Sequence, residues 1–174
     1  MMSPTENGDW SKQLFDDLIE AGVTLFPYIP DAGNKRLIEH AEEHNNARPV
    51  LLTSEEEGVA LCAGADLVGE KGVLCMQSSG VGNIPNYLSF VSGGRFPILM
   101  MVSMRGDYGE QNPWQYPMGQ AVEPILTAMG VLVFKADCPD DLGPATQAAI
   151  SATFKSGKSA AIILSQRFLG AKSF

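Results

Sequence analysis

The chain has 174 residues, of which 45% are hydrophobic, and a formal net charge of −8, which predicts one soluble domain with its own hydrophobic core. Its acidic balance argues against a nucleic-acid partner, which would need a basic patch, and no apolar run approaches the roughly 20 residues of a membrane span. The first ten residues lack the basic and apolar regions of a secretion signal, and the three cysteines lack C-x-x-C spacing, so we expect a reduced, cytoplasmic protein.

Helical and strand patterns alternate along the whole chain. In chain order we predict a helix over 9–23, a strand over 23–30, a helix over 31–46, a strand over 49–53, a helix over 54–70, a strand over 72–79, a helix over 80–94, a strand over 96–104, a helix over 122–130, a strand over 131–136, a helix over 139–157 and a strand over 159–166. Several strands are near-continuous apolar runs, as buried parallel strands are. The alternation predicts an α/β fold, a doubly wound, mainly parallel sheet with helices on both faces.

Ligand sites in such folds collect where strands end. The longest irregular stretch, Arg105–Gly119, follows one of these strands and contains Trp114 and Tyr116. Loops of that length are usually functional or disordered, and the aromatic residues favour a functional or interface loop. A surface Ω-loop that packs on itself is the alternative.

Three consecutive glutamates follow the second predicted strand. Ser54 and Glu57 have the spacing of a capping box, and Glu56 fits an exposed acid in the first helical turn. Glu55 lies where the strand ends, which in open α/β sheets faces the ligand crevice. All three can still be helix-start acids only, because anions are favoured at a helix N-terminus.

Residues 77–83, with the sequence QSSGVGN, join a strand to a helix through glycines. The segment matches neither the dinucleotide fingerprint nor the Walker A loop, and it offers close backbone access at a helix start. A plain strand-to-helix turn is the alternative. His40 and His44 lie four residues apart, a spacing that can bind a metal, but their polar neighbours favour a solvated helix face.

Four segments, taken in order, resemble the pyrimidine-binding domain of thiamine diphosphate-dependent 2-oxoacid decarboxylases. They read EEEGVALCAGADLVGEKG, MQSSGVGN, RGDYGE and PMG, and the resemblance extends from about residue 10 to residue 168. Within that family the sulfopyruvate decarboxylases, and then the phosphonopyruvate decarboxylases, are the most similar. The resemblance implies that residues 1–174 form a single pyrimidine-binding domain.

The resemblance also implies roles for individual residues. The family has a glutamate nine residues before the glycine of an Ala-Ala-Gly-like segment; that glycine is Gly64 here, so the glutamate is Glu55, the implied catalytic and cofactor-binding residue. Arg105 and Asn83 are the implied substrate contacts, and no metal ligand is implied in this chain. The residues that match the cofactor-lining turn of the family are Gln77, Ser79, Gly80 and Asn83.

A carboxyl group sheltered from water can share a proton with a ring nitrogen of the cofactor's aminopyrimidine, which is the role implied for Glu55. The thiazolium ring of the cofactor then serves as the electron sink for decarboxylation. The Gly-Asp-Gly segment with which the family holds diphosphate and a divalent metal does not occur in this sequence. The resemblance therefore implies a hetero-oligomer, in which a beta subunit holds the diphosphate and Mg²⁺.

The implied reaction converts 3-sulfopyruvate to sulfoacetaldehyde and carbon dioxide. Phosphonopyruvate or another 2-oxoacid remains open as the substrate, as does a role in coenzyme M biosynthesis or in sulfonate breakdown. The subunit count is also open, beyond an expected dimeric core. A non-catalytic binding or regulatory module of the same fold is the alternative of a different class, because fold alone does not establish function.

Overall fold

The computed structural model describes residues 9–171, and within this range six strands form one sheet between two helical layers. The strands are β1 (Val23–Tyr28), β2 (Arg48–Leu51), β3 (Lys71–Gln77), β4 (Leu99–Ser103), β5 (Leu132–Ala136) and β6 (Ala160–Leu164). The helices are α1 (Trp10–Glu20), α2 (Lys35–Glu43), α3 (Glu55–Leu67), α4 (Ser78–Val81), α5 (Pro85–Gly94), α6 (Tyr116–Ala128), α7 (Pro139–Phe154) and α8 (Gln166–Leu169), with a 3₁₀ turn at Pro113–Gln115.

All five strand pairings are parallel, in the order β2-β1-β3-β4-β6-β5. This confirms the predicted doubly wound α/β fold. From β1 the chain runs outward to β2 and then returns to β3 on the other side of β1, so the strand order reverses between β1 and β3. Ligand crevices form at the carboxyl ends of strands beside such a reversal.

The sheet separates two hydrophobic cores. One core lies under α1, α2 and α7 and is built around Phe15, Phe26 and Met101. The other lies under α3, α5 and α6 and is built around Val59, Met76 and Leu126. Strands β4 and β6 are buried along their full length, which explains their uninterrupted apolar sequences.

Two predicted helices differ most from the helices in the structure. The predicted helix over 80–94 is divided into α4 and α5, and α5 starts at Pro85, where a missing backbone N–H costs nothing. The helix predicted from 122 starts instead at Tyr116, because Pro117 lies in its first turn and Pro124 is accommodated inside it. Proline is tolerated in the first turn of a helix, so Pro117 permits this earlier start, and Pro124 lies inside both the predicted helix and α6.

The prediction of a solvated helix face for the two histidines was wrong for His40. Its Nε2 lies 3.1 Å from Ser11 Oγ, and its side chain is only 17% exposed. Both imidazole rings pack on Phe15, with ring centroids 5.9 Å away for His40 and 5.3 Å away for His44. The two side chains therefore lie at the contact between α1 and α2.

The two ends of the chain are described only in part. The prediction that no secretion signal is present concerns residues 1–10, of which 1–8 lie outside the described residues. Near the other end, α8 docks on the domain through Phe168, whose ring centroid lies 5.2 Å from that of Trp10. No helix within residues 9–171 is long and apolar enough to cross a membrane.

Candidate active site

Glu55 is a buried carboxylate at the first position of α3, close behind β2. It is only 7% exposed, and its Oε2 accepts a hydrogen bond of 2.8 Å from Asn83 Nδ2. A Cβ atom at Gly80 would lie 2.4 Å from Glu55 Oε1, so the backbone of α4 approaches the carboxylate at a distance that only glycine permits. The structure thus brings together Glu55, Gly80 and Asn83, three of the site residues predicted from the sequence.

The depth of Glu55 is set by the packing of α3 on the sheet. A Cβ atom at Gly58 would lie 2.4 Å from Leu74 Cδ1 of β3 and 2.7 Å from Leu52 Cδ1. The first turn of α3 therefore presses directly against the strand layer. Glu55 lies three residues before Gly58, and this packing places it at the carboxyl edge of the sheet.

The other two glutamates differ from their predicted roles. Glu57 Oε2 accepts hydrogen bonds from Thr53 N at 2.8 Å and Thr53 Oγ1 at 2.6 Å, which lower the pKa of Glu57. The predicted capping box is wrong, because Glu57 reaches Thr53 rather than Ser54, and the Ser54 side chain makes no capping bond. Glu56 is half-buried rather than exposed, and its Oε2 is enclosed without a hydrogen-bond partner among residues 9–171.

The turn that follows β3 is held by its own side chains and by the segment after β4. Ser79 Oγ donates to Gln77 Oε1 at 2.9 Å. Ser78 is buried, and its hydroxyl accepts from Arg105 N at 3.0 Å and donates to Arg105 O at 3.2 Å. The backbone of Arg105 is therefore joined to the turn that carries Gln77 and Gly80.

The guanidinium of Arg105 forms a two-pronged ion pair with Glu110. Its Nε and Nη2 donate to the carboxylate, with an Nη2–Oε1 distance of 2.7 Å, and the Glu110 side chain is fully buried. Gln166 Nε2 also donates to this carboxylate at 2.9 Å. The Arg105 hydrogen bonds hold the pKa of Glu110 far below its usual range, and the same pairing raises the pKa of Arg105.

The loop that contains this pair is closed on itself. Tyr116 donates its hydroxyl to Glu110 O at 2.7 Å, and a Cβ atom at Gly106 would lie 2.0 Å from Gln115 O. This geometry is that of the alternative prediction, an Ω-loop that packs on itself. The loop is shorter than the predicted segment 105–119, because α6 already begins at Tyr116. Trp114 nevertheless projects from the loop with 87% of its surface exposed.

A second polar cluster, formed by Asp31, Asn34 and Ser103, was not predicted as part of the site. Asp31 Oδ1 accepts from Ser103 Oγ at 2.7 Å, and Asn34 Nδ2 donates to Asp31 Oδ2 at 2.9 Å. Asn34 is only 2% exposed, and its Oδ1 has no partner among residues 9–171. The signal in the sequence was PDAGN at the end of β1, where an aspartate before glycine and asparagine is typical of a side-chain-bonded turn.

A groove of about 590 Å³ lies beside this cluster. Its lining includes Tyr28, Pro30, Asp31, Lys35 and Gln77. Gln77 also belongs to the glycine-containing turn, so the groove reaches the segment that carries Gly80. The site as a whole therefore offers a buried carboxylate, amide side chains and close backbone access.

Comparisons with known proteins identify related chains. The protein is 34% identical to the sulfopyruvate decarboxylase subunit alpha of Methanocaldococcus jannaschii over 132 residues, which are 75% of this chain and 78% of that protein. It is 33% identical to the subunit of the same name from Methanococcus maripaludis, over 75% of this chain and 79% of that protein. A phosphonopyruvate decarboxylase from Streptomyces viridochromogenes is 33% identical over 60% of this chain and 27% of that protein. No family model matches the chain.

Among solved structures, a 2-oxoglutarate:ferredoxin oxidoreductase from Magnetococcus marinus has the same fold. The TM-score is 0.70 at 14% sequence identity, over 90% of this chain and 28% of that chain. At this identity the likeness concerns the fold alone.

Proposed function

The chain belongs to the family of sulfopyruvate decarboxylase alpha subunits, and on that premise we propose that it works with a beta subunit to convert 3-sulfopyruvate to sulfoacetaldehyde and carbon dioxide. In this reaction the bond between the keto carbon and the carboxylate breaks, carbon dioxide leaves and a proton takes its place. The observation that carries the proposal is the buried Glu55 carboxylate, held by Asn83 beneath Gly80.

The proposed cofactor is thiamine diphosphate, bound here by its pyrimidine end. The residues present fit that group, because Glu55 offers a sheltered carboxylate and Gly80 leaves no side chain above it. When bound, the cofactor supplies the electron sink for decarboxylation. Asn83 holds Oε2 of Glu55, which leaves Oε1 as the atom that gives and takes a proton at the pyrimidine ring.

Further residues of this chain complete the proposed site. Gln77 and Ser79 are proposed to line the cofactor, since their mutual hydrogen bond orients both at the start of α4. Arg105 and Asn83 are proposed as substrate contacts. Because Glu110 already pairs the guanidinium, the sulfonate would meet an arginine–glutamate pair rather than an isolated cation.

The proposed partner is a beta subunit that holds the diphosphate and Mg²⁺. The proposal is supported by the sequence, in which Gly-Asp-Gly does not occur, and by the relatives, which are named as alpha subunits. We place the enzyme in the cytoplasm. Cys62 and Cys75 are free and buried in the described structure, which suits a reducing compartment.

The test is an aldehyde-release assay with 3-sulfopyruvate, thiamine diphosphate and Mg²⁺. It compares this chain alone, this chain with its beta subunit, and the pair carrying Glu55→Gln. Glu57→Gln is the matched control, since Glu57 is a neighbouring glutamate whose carboxylate bonds only Thr53 among the described residues. We expect activity only in the pair, a loss of about 10²–10⁴-fold in Glu55→Gln, and a change of a few fold at most in the control.

The same assay distinguishes the alternatives. Faster turnover of phosphonopyruvate or pyruvate than of 3-sulfopyruvate would change the substrate and keep the mechanism. An active pair that tolerates Glu55→Gln would refute the role of Glu55. If the pair turns over no 2-oxoacid, the chain is a binding module and the enzymatic proposal fails.

A further inference from the structure

We propose that Gln166 is a positioning residue, which holds the Arg105 guanidinium through Glu110 and so determines how tightly the sulfonate of the substrate is bound. This inference rests on the proposed function, in which Arg105 contacts the substrate. Gln166 is the first residue of α8 and lies two positions after the end of β6. It is only 2% exposed, and it was not among the site residues predicted from the sequence.

Both polar atoms of the Gln166 side chain bond the loop between β4 and α6. Oε1 accepts hydrogen bonds from Asp107 N at 3.1 Å and from Tyr108 N at 3.3 Å, and Nε2 donates to Glu110 Oε2 at 2.9 Å. The backbone N–H of Gln166 also donates to Asp107 Oδ1, at 3.2 Å. Because the loop requires an acceptor and a donor from one side chain, this position suits an amide better than an apolar or acidic residue.

The carboxylate of Glu110 transmits the position of Gln166 to Arg105. Its Oε1 accepts from Arg105 Nη2 at 2.7 Å and from Asn112 N at 2.9 Å, and its Oε2 accepts from Arg105 Nε and from Gln166 Nε2. A guanidinium that bonds a carboxylate through two nitrogens lies in a defined plane relative to it. The hydrogen bond from Gln166 therefore helps to set the direction in which the Arg105 guanidinium faces.

Two features make substrate binding sensitive to that direction. The Arg105 side chain is only 12% exposed, so a small rotation would withdraw the part that a sulfonate can reach. The N–H group of Gln166 also stabilises the negative charge of Glu110, which would otherwise draw more strongly on the guanidinium. Loss of the Gln166 amide should therefore weaken the attraction between Arg105 and an anionic substrate.

The backbone of Arg105 is held separately, by the turn after β3. Ser78 Oγ accepts from Arg105 N at 3.0 Å and donates to Arg105 O at 3.2 Å. The proposed proton-transfer residue, Glu55, is held by Asn83. A change at Gln166 should therefore move the Arg105 side chain, raise KM for the substrate and leave kcat almost unchanged.

The experiment measures kcat and KM for 3-sulfopyruvate, with the beta subunit, in wild-type chain, Gln166→Leu, Gln166→Glu and Gln120→Leu. Gln120→Leu is the matched control, because Gln120 Nε2 donates to Gly106 O at 2.9 Å and so binds the backbone of the same loop. Thermal unfolding of each chain sets an assay temperature at which all variants are folded. We expect Gln166→Leu to raise KM at least about tenfold with kcat within about threefold of the wild type, and Gln120→Leu to keep both within about twofold.

Gln166→Glu gives a readout that a purely structural role would not produce. The new carboxyl group can still accept from the two backbone N–H groups, but it can donate to Glu110 only when it is protonated. Two carboxyl groups this close favour sharing one proton. The KM of Gln166→Glu divided by that of the wild type should therefore be high at pH 8 and fall at least about threefold by pH 6.

This ratio removes the contribution of charged groups that are the same in both proteins. Those that act on this network are Arg105 and Asp107 of the loop, Lys135 of β5 and Arg167 of α8, whose guanidinium lies 5.4 Å from the centroid of the Tyr108 ring. The change of the ratio with pH therefore reports the proton between residue 166 and Glu110.

Each other result overturns a different statement. If the wild-type pair is active and Gln166→Leu leaves KM unchanged or lowers kcat alone, the positioning role is wrong and the proposed function stands. A KM ratio for Gln166→Glu that does not change with pH also refutes the role, as does failure of both Gln166 variants to fold, which would make Gln166 a structural residue. If the wild-type pair does not turn over 3-sulfopyruvate, the proposed function fails, and with it the role of Gln166.

Discussion

Replacing Gly80 with alanine should damage catalysis far more than folding. The new Cβ would lie 2.4 Å from Glu55 Oε1 and 2.6 Å from both Cδ and Cγ. Ordinary contacts of this kind are about 3.5 Å, so the outer half of the glutamate must move by about 1 Å. That movement also strains the 2.8 Å hydrogen bond from Asn83.

The magnitude follows from the sensitivity of catalysis to position. A displacement of about 1 Å costs roughly 100-fold in rate, or about 2.7 kcal/mol of transition-state stabilisation. The cost in stability should be small, because the group that yields is a flexible side chain and alanine favours a helix over glycine by up to about 1 kcal/mol. Gly80→Ala therefore separates activity from stability.

The assay measures kcat for 3-sulfopyruvate with the beta subunit, together with the urea midpoint of the isolated chain. Gly143→Ala is the matched control, since a Cβ atom there meets nothing within 4 Å and α7 lies on the other side of the sheet. We expect a loss of about 100-fold in Gly80→Ala and urea midpoints at or above the wild-type value for both variants, because alanine favours a helix over glycine. A Gly80→Ala enzyme within threefold of the wild-type kcat would refute the view that the carboxylate beneath residue 80 handles the proton.

Three further predictions concern stability and reactivity. Glu110→Gln should lower the free energy of unfolding by about 3 kcal/mol in urea titrations, because it breaks the buried ion pair with Arg105. The control is Glu123→Gln, which removes the exposed ion pair with Lys135 and should lower the free energy of unfolding by less than about 1 kcal/mol. Because hydrogen bonds from Arg105 hold the pKa of Glu110 far below its unfolded value of about 4.3, the stability from this pair is present above that pH and is lost as the pH falls. The urea midpoint of Glu110→Gln should therefore fall less between pH 5 and pH 3 than that of the wild-type chain, and an equal fall would contradict the assignment. Burial raises the pKa of the Cys62 thiol to about 12, and Cys75 is also buried. A thiol reagent at pH 8 should therefore modify only the exposed Cys138 in the native chain and all three thiols in urea. Fast modification of a second thiol in the native chain would contradict this burial.

The sequence by itself determined the class of fold and the family of the chain. The spacing of apolar residues along the sequence predicts the order of helices and strands. A regular alternation of the two with short connections leaves few arrangements other than a parallel sheet. The same order places Glu55 behind a strand, at the edge where ligands bind. The segments around Glu55 and Gly80 also identified the family, which the comparisons then confirmed.

Only the tertiary structure decided which side chains meet. Asp31 and Ser103 are 72 positions apart in the sequence, and they hydrogen-bond because β1 and β4 both flank β3 in the sheet. Arg105 was predicted as a substrate contact from its place in a motif, but its guanidinium lies against Glu110, because the loop folds back on itself.

The same reason explains the apolar surface of α3. Its sequence fits a buried core and a docking face equally well, and the sheet decides which stripe is covered and which remains exposed. Periodicity is a property of neighbouring residues, so sequence predicts it. A side-chain partner depends on where distant segments of backbone are placed, and only the folded chain determines that placement.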